Sequence, residues 1–177
     1  MADYNYSFQK TLSFEGGYVN DPDDAGGETY KGVARKMNSK WDGWVTVDLL
    51  KRQAGFPGNL DKDAELQEKI TDFYRVNYWD AILGDQITDQ TVATSIFDFA
   101  VNAGVRTSSC LAQMVAEAEP DGVIGSETIS KINGVEPEHF LASFTLAKIV
   151  RYIGIVKNRP SSQKYFYGWV KRAIGNN

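Results

Sequence analysis

From residue 61 onward, apolar side chains recur every three or four positions, and that spacing dictates helices. Leu66, Ile70 and Phe73, with Asn77 in register, share one face of a helix predicted over 61–79, capped by Asp61 or Asp63. Val92, Ile96, Phe99 and Ala103 form the next stripe, capped by Asp89 or Thr91 and ended by Gly104. A third helix is expected over 105–117 with Leu111 and Val115 inward, followed by a turn at Pro120-Asp121-Gly122. Ser126 is read as the cap of a short helix reaching about Asn133. Pro137 opens a long helix that Pro160 stops, and a last helix covers 163–174. Near the start, Phe8, Leu12 and Glu15 share one helical face before Gly16-Gly17 ends the run. Residues 18–34 are rich in Gly, Asp and Asn, with Tyr18-Val19 and Thr29-Tyr30 as extended pieces. The expected fold is therefore mainly α, with a small irregular β-hairpin after the first helix. No repeat or long linker interrupts the 177 residues, so one compact domain is expected.

Several classes of function fall away. A composition of 42% hydrophobic and 24% charged residues belongs to a globular chain, not a disordered one. Cys110 is the only cysteine, which excludes an intrachain disulfide, and it reads as a small buried apolar residue. With His139 the only histidine, a zinc site would need mostly carboxylate ligands. A Ser-His-Asp triad would have to use His139, and no G-x-S-x-G is present. The first ten residues lack a basic segment followed by an apolar one, and no uninterrupted run of about 18 apolar residues occurs. The expectation is synthesis in the cytoplasm, no membrane insertion, and release by some route other than an N-terminal signal.

The net charge of -4 conceals an asymmetry. After Glu138 there is no acidic residue, and Lys148, Arg151, Lys157, Arg159, Lys164, Lys171 and Arg172 give that tail a charge of +7. Tyr152, Tyr165, Phe166, Tyr167 and Trp169 are interleaved with these cations. Such a tail meets a polyanion or a glycan, or else pairs with the acidic body of its own molecule. Nucleic acid is not the expected partner, because the chain as a whole is acidic and carries no recognised nucleic-acid motif.

The densest polar segment runs from Glu15 to Gly32. It is not a calcium loop: counted from Asp21, Ala25 and Gly32 stand where an oxygen ligand and a Glu are needed. It is not a phosphate cradle, being acidic and lacking G-x-x-x-x-G-K-[ST]. Glu15, on an apolar helical face, should be protonated more readily than an ordinary carboxylate, whereas Asp23 and Asp24, in a polar glycine-rich stretch, should stay ionised. One proton-donating carboxyl beside one carboxylate is the pair that glycosidic cleavage requires.

This segment resembles two known patterns. Phage lysozymes carry a Glu, eight residues, an Asp, five residues and a Thr. Here eight residues separate Glu15 from Asp24 but only four separate Asp24 from Thr29, and Asp23 offers the complementary compromise. A longer resemblance is to glycoside hydrolase family 108. It rests on Glu15, Gly17, Tyr18, Val19, Asn20, Asp21, Pro22, Asp24, Gly26, Gly27, Thr29 and Gly32, with Val33 where Ile is common. Tyr74 to Trp79, the stretch Asp98-Phe-Ala-Val-Asn-Ala-Gly104 and the C-terminal Phe-Tyr-Gly-Trp with Arg172 are similar as well. Asp121-Gly122-x-x-Gly125-x-x-Thr128 resembles a motif of cell-wall-binding modules.

The resemblance implies a lysozyme-like muramidase fold acting on peptidoglycan glycan strands, without metal or cofactor, in a phage endolysin or a secretion activator. A non-catalytic peptidoglycan-binding accessory is the alternative. It further implies a catalytic part over 5–91 and a helical peptidoglycan-binding part over 92–175 packed on it. Glu15 becomes the catalytic acid, with Asp24 (or Asp23) and Thr29 acting on water. Tyr18, Asn20, Asp21, Asn102 and Trp169 become candidate substrate contacts. Asp98 and Asn102, four apart on one helix, either line a cleft or tie that helix to a neighbour. Trp41 and Trp44 either stack on a sugar or simply pack; Trp79 reads as core.

Overall fold

The computed structural model describes residues 1–12, 17–21 and 27–175. Among these, eight α-helices and a three-stranded antiparallel sheet give the expected mainly α architecture with a small β element after the first helix. The helices are α1 (Tyr4–Leu12), α2 (Gly43–Leu50), α3 (Ala64–Tyr74), α4 (Gln90–Ala103), α5 (Val105–Val115), α6 (Ser126–Gly134), α7 (Pro137–Asn158) and α8 (Gln163–Gly175). The strands are β1 (Tyr18–Asn20), β2 (Glu28–Tyr30) and β3 (Val33–Ala34). The chain divides into two compact units, one of 8–77 and one of 1–7 with 78–177.

In the unit of 8–77, β2 and β3 join through Lys31 and Gly32, with φ of 43° and 81°. Two successive positive φ values suit the right-handed twist of a two-residue hairpin. Tyr30 and Val33 flank the turn and are fully buried with Trp44, Val47, Leu60, Leu66 and Ile70. The Tyr30 hydroxyl donates to Asp61 Oδ1 at 3.1 Å and accepts from Gln67 Nε2 at 2.9 Å. Burial pushes that phenol up to about 12. The Tyr74 hydroxyl donates to the Lys31 carbonyl at 2.7 Å, so α3 holds the hairpin at its turn. Asp63, not Asp61, caps α3 by accepting from Leu66 N at 2.9 Å.

In the other unit, α4 is the central element. Asp89 caps it, accepting from the amides of Thr91 and Val92 at 2.9 Å each. Nine consecutive residues, Val92 to Ala100, are buried, because α4 packs against α5 and α7 while Tyr4 and Trp79 lie on Phe97 at 6.0 and 5.6 Å. Trp79 is fully buried, donates to Asp85 at 2.8 Å, and lies so close to Gly84 that a Cβ there would come within 2.4 Å of its ring. It is core, as the stripe implied.

The expected inward pair of α5 is not what packs. Leu111 and Val115 are half-buried, and Ser108, Ser109, Ala112 and Gln113 fill the interior. Small residues and a bonded amide let α5 lie close to its neighbours: Ser108 Oγ donates to the Ile96 carbonyl at 2.7 Å. Gly125, not Ser126, occupies the cap position of α6. Glu136 caps α7 through Glu138 N and His139 N, with Pro137 in the first turn. By length and composition α7 could cross a membrane; here it packs on α4, α5 and α8 and buries Phe140, Phe144, Thr145, Lys148 and Tyr152.

Candidate functional site

The sheet holds three of the predicted site residues, Tyr18, Asn20 and Thr29. Pairing is Tyr18 with Tyr30, Val19 with Thr29 and Asn20 with Glu28. Directly paired residues share a face, and faces alternate along each strand. Tyr18, Asn20, Glu28 and Tyr30 therefore lie on one face, Val19 and Thr29 on the other. Glu28 and Tyr30 are buried, Thr29 is half-buried, and Val19 and Asn20 are exposed. Thr29 Oγ1 donates to the Gly27 carbonyl at 3.3 Å. The structure thus brings Tyr18 and Asn20 together and sets Thr29 on the opposite face. Asp21 follows β1 and is exposed. Glu15, Asp23 and Asp24 lie outside the described residues. Asp24 belongs to the stretch joining β1 to β2, and Glu15 to the stretch between α1 and β1.

Glu28, which the sequence reading left unused, anchors a four-charge cluster on the buried face. Its Oε2 accepts from Arg35 Nη1 at 2.7 Å, and its Oε1 lies 2.5 Å from Lys51 Nζ. Arg35 also grips Asp48 with both terminal nitrogens, at 2.6 and 3.0 Å, and lies 4.7 Å over the Trp44 ring. The Arg35 guanidinium holds the Asp48 carboxyl below its ordinary range. Burial and the neighbouring Glu28 carboxylate raise the Tyr18 phenol. Two anions and two cations balance, and the cluster ties β2 to α2 and to Lys51 at its C-terminal end. The one signal in the sequence was the alternation that makes Glu28 face inward with Tyr30.

Among the tryptophans, Trp44 is 3% exposed and donates to the Asn38 carbonyl at 2.9 Å, so it packs. Trp41 is half-buried and lines an open cleft of about 580 Å³.

In the other unit, Asp98 accepts from Arg172 at 2.8 Å, tying α4 to α8. Asn102, one turn further along α4, is exposed. Trp169 is half-buried between Tyr152 and Tyr165, at 5.3 and 6.0 Å. Of the seven tail cations, Arg172 pairs with Asp98, and Lys148 is buried on Ser95 Oγ at 3.2 Å. The other five are exposed. The Asp121-Gly122 motif closes its own loop. Buried Gln113 donates to Asp121 Oδ1 at 2.7 Å and to the Val123 carbonyl at 3.1 Å, and accepts from Gly122 N at 2.8 Å. Among the described residues, no three His, Cys, Asp or Glu side chains are grouped to hold a metal ion.

Residues 8–104 match the family model for glycosyl hydrolase 108. The chain belongs to that family. Residues 104–174 match a second model, described as a predicted peptidoglycan domain. The fold is similar to a solved structure of SagA from Brucella abortus, with 26% identity, a TM-score of 0.72, and coverage of 98% of this chain and 90% of that one. No curated protein matches the sequence. This glycosyl hydrolase 108 chain is a lysozyme-like protein that acts on peptidoglycan at the cell wall. Its family match covers Thr29 and the Glu28 cluster as well as the stretches carrying Glu15 and Asp24.

Proposed function

We propose that the protein is a muramidase, hydrolysing the bond between N-acetylmuramic acid and N-acetylglucosamine in peptidoglycan. The observation that carries this reading is the family match over 8–104, a range that contains Glu15 and Asp24 with eight residues between them. Glu15 protonates the leaving glycosidic oxygen. Asp24, or with a one-residue shift Asp23, activates the attacking water with Thr29 beside it. A water between the carboxyls requires oxygens about 6.5–9.5 Å apart and an inverting reaction. Tyr18, Asn20, Asp21, Asn102 and Trp169 serve as substrate contacts. The two parts are a lysozyme-like 5–91 and a peptidoglycan-binding 92–175. The working context is a phage endolysin or a secretion activator, reaching the wall after release from the cytoplasm.

Support from the fold is that β1 and β2 pair antiparallel and that Glu28 fixes β2 through Arg35 and Lys51. The test is digestion of purified peptidoglycan followed by mass spectrometry. Muramic acid at new reducing ends is expected. New amino termini, or no products, overturn the reading. Glu15→Gln should lower the rate at least about a hundredfold while the protein stays folded, because the amide keeps the volume and loses the proton.

A further inference from the structure

The cleft beside Trp41 lies wholly within the unit of 8–77, bounded by Met37, Asn38, Trp41, Asp42, Phe73 and Asn77. Its volume, about 580 Å³, is in the range of small-ligand sites. The Trp41 ring is held rigidly. It stands edge-on to Trp44 at 5.2 Å and to Phe73 at 5.9 Å. It also lies against Gly43, where a Cβ would come within 2.2–2.5 Å of three indole atoms. Only glycine at 43 leaves room for the ring in this position. Around it stand groups that both donate and accept hydrogen bonds: the amides of Asn38 and Asn77, the Ser39 hydroxyl, the Lys40 ammonium and the Asp42 carboxylate. Asn77 is exposed, its Nδ2 bonded to the Phe73 carbonyl at 2.8 Å.

A fixed aromatic surface rimmed by amides, by Lys40 and by an Asp42 that lies 3.8 Å from Lys69 Nζ suits a ligand with an apolar face and a polar edge. A phosphate would require net positive charge, and an aliphatic chain would desolvate the amide oxygens of Asn38 and Asn77, whose Nδ2 groups already donate to the Ala34 and Phe73 carbonyls at 3.2 and 2.8 Å, without offering them a donor. A pyranose fits both demands: its C–H face lies on an indole while its hydroxyl and acetamido groups meet the amides. We propose that Trp41, Phe73 and Asn77 form an N-acetylhexosamine subsite that holds one sugar of the glycan strand. The sugar class rests on the muramidase reading; the built cleft does not.

The experiment is an NMR titration of the ¹⁵N-labelled Glu15→Gln protein with an N-acetylglucosamine tetramer. The Trp41 indole N–H signal should shift saturably while that of Trp79, buried and bonded to Asp85, stays put. Asn77→Ala should weaken binding about fivefold by removing a hydrogen-bonding amide; it also removes the bond to the Phe73 carbonyl, so its circular dichroism must match the wild type. Trp41→Ala should weaken it about tenfold or more. Gly43→Ala should do the same with the indole still present, by displacing it. If Trp41→Ala does not fold, Asn77→Ala and the titration decide alone. An unmoved Trp41 signal, or unchanged affinity in Asn77→Ala and Gly43→Ala, overturns the subsite. The two readings fail separately: muramic-acid products with a silent Trp41 sink the subsite only, and a shifted Trp41 without glycosidic products sinks the muramidase only.

Discussion

Lys148 is a cation in the wrong solvent. It is 2% exposed, with Phe144 and Phe99 rings 5.0 and 6.0 Å away, and its hydrogen-bond acceptor is the Ser95 hydroxyl. Burial lowers its pKa from 10.5 to about 8, against the pull of Asp98 and with some help from Arg172. At about 1.4 kcal/mol per pH unit, the charged side chain costs the fold about 3 kcal/mol wherever both states are protonated. The direction is that of a depressed lysine. Below pH 8 the penalty is fully present. Between pH 8 and 10.5 the folded state has lost its proton while the unfolded state keeps it, so stability rises with pH. Lys148→Met keeps the length and removes the penalty, and Asp98 remains paired with Arg172. The variant should therefore be more stable than the wild type near pH 7, less the one or two kcal/mol of lost cation–π and Ser95 contacts. Its advantage should shrink by about 2.5 kcal/mol between pH 7 and 10. Tyr30 and Tyr152, both raised by burial to about 12, titrate in both proteins and cancel in the difference. Urea unfolding of both proteins at half-unit pH steps measures this. A stability difference that stays flat from pH 7 to 10 refutes the argument.

Asp24→Asn should reduce wall lysis more than Asp23→Asn; turbidity assays with equal or reversed rates would show the register shifted by one. Arg172→Ala removes the Arg172 hydrogen bonds of buried Asp98 and should lower stability by about 2–3 kcal/mol, less than the 3–5 of a fully isolated charge because Lys148 stays near; denaturation showing under 1 kcal/mol would contradict the bridge. Binding to insoluble walls should weaken from about 50 to 500 mM salt, since exposed charges are screened within about 8 Å at physiological strength. Lys164→Glu with Lys171→Glu, both exposed, should weaken it further; pull-down insensitive to both means that the tail cations do not meet the wall.

What could be read in the sequence depended on where the determining contacts lie. Helices α3, α4 and α7 carry their caps and stops within four residues of their ends, at Asp63, Asp89, Glu136-Pro137 and Pro160, so they were legible. Helix α2 was not. Its buried Trp44, Val47 and Leu50 obey the helical period, but exposed Val45 and Leu49 blur the stripe. The inward face of α5 was misread because Ser108, Ala112 and Gln113 are buried by close approach to neighbouring helices, which size and polarity do not announce. At the site, the Glu15–Gly32 pattern is contiguous and so was visible. The Glu28–Arg35–Asp48–Lys51 cluster joins residues up to 23 apart through side-chain geometry alone, and only pairing of β2 with β1 and β3 turns Glu28 inward.

The two family matches meet at Gly104, yet the packing does not part there. Helix α4, matched with the hydrolase, gives Asp98 to Arg172 of α8, and Phe99 to Phe144 and Tyr152 of α7. Its Ile96 carbonyl takes the Ser108 hydroxyl of α5. A chimaera spliced at Gly104 would thus inherit half of an ion pair and half of an aromatic cluster from different parents, and each half would face a stranger. Exchange of wall-recognition segments between relatives should succeed only when the graft carries residues 78–175 together with residues 1–7, whose Tyr4 and Ser7 pack on Phe97 and Thr94, so the seam lies some 26 residues upstream of the one drawn by sequence similarity.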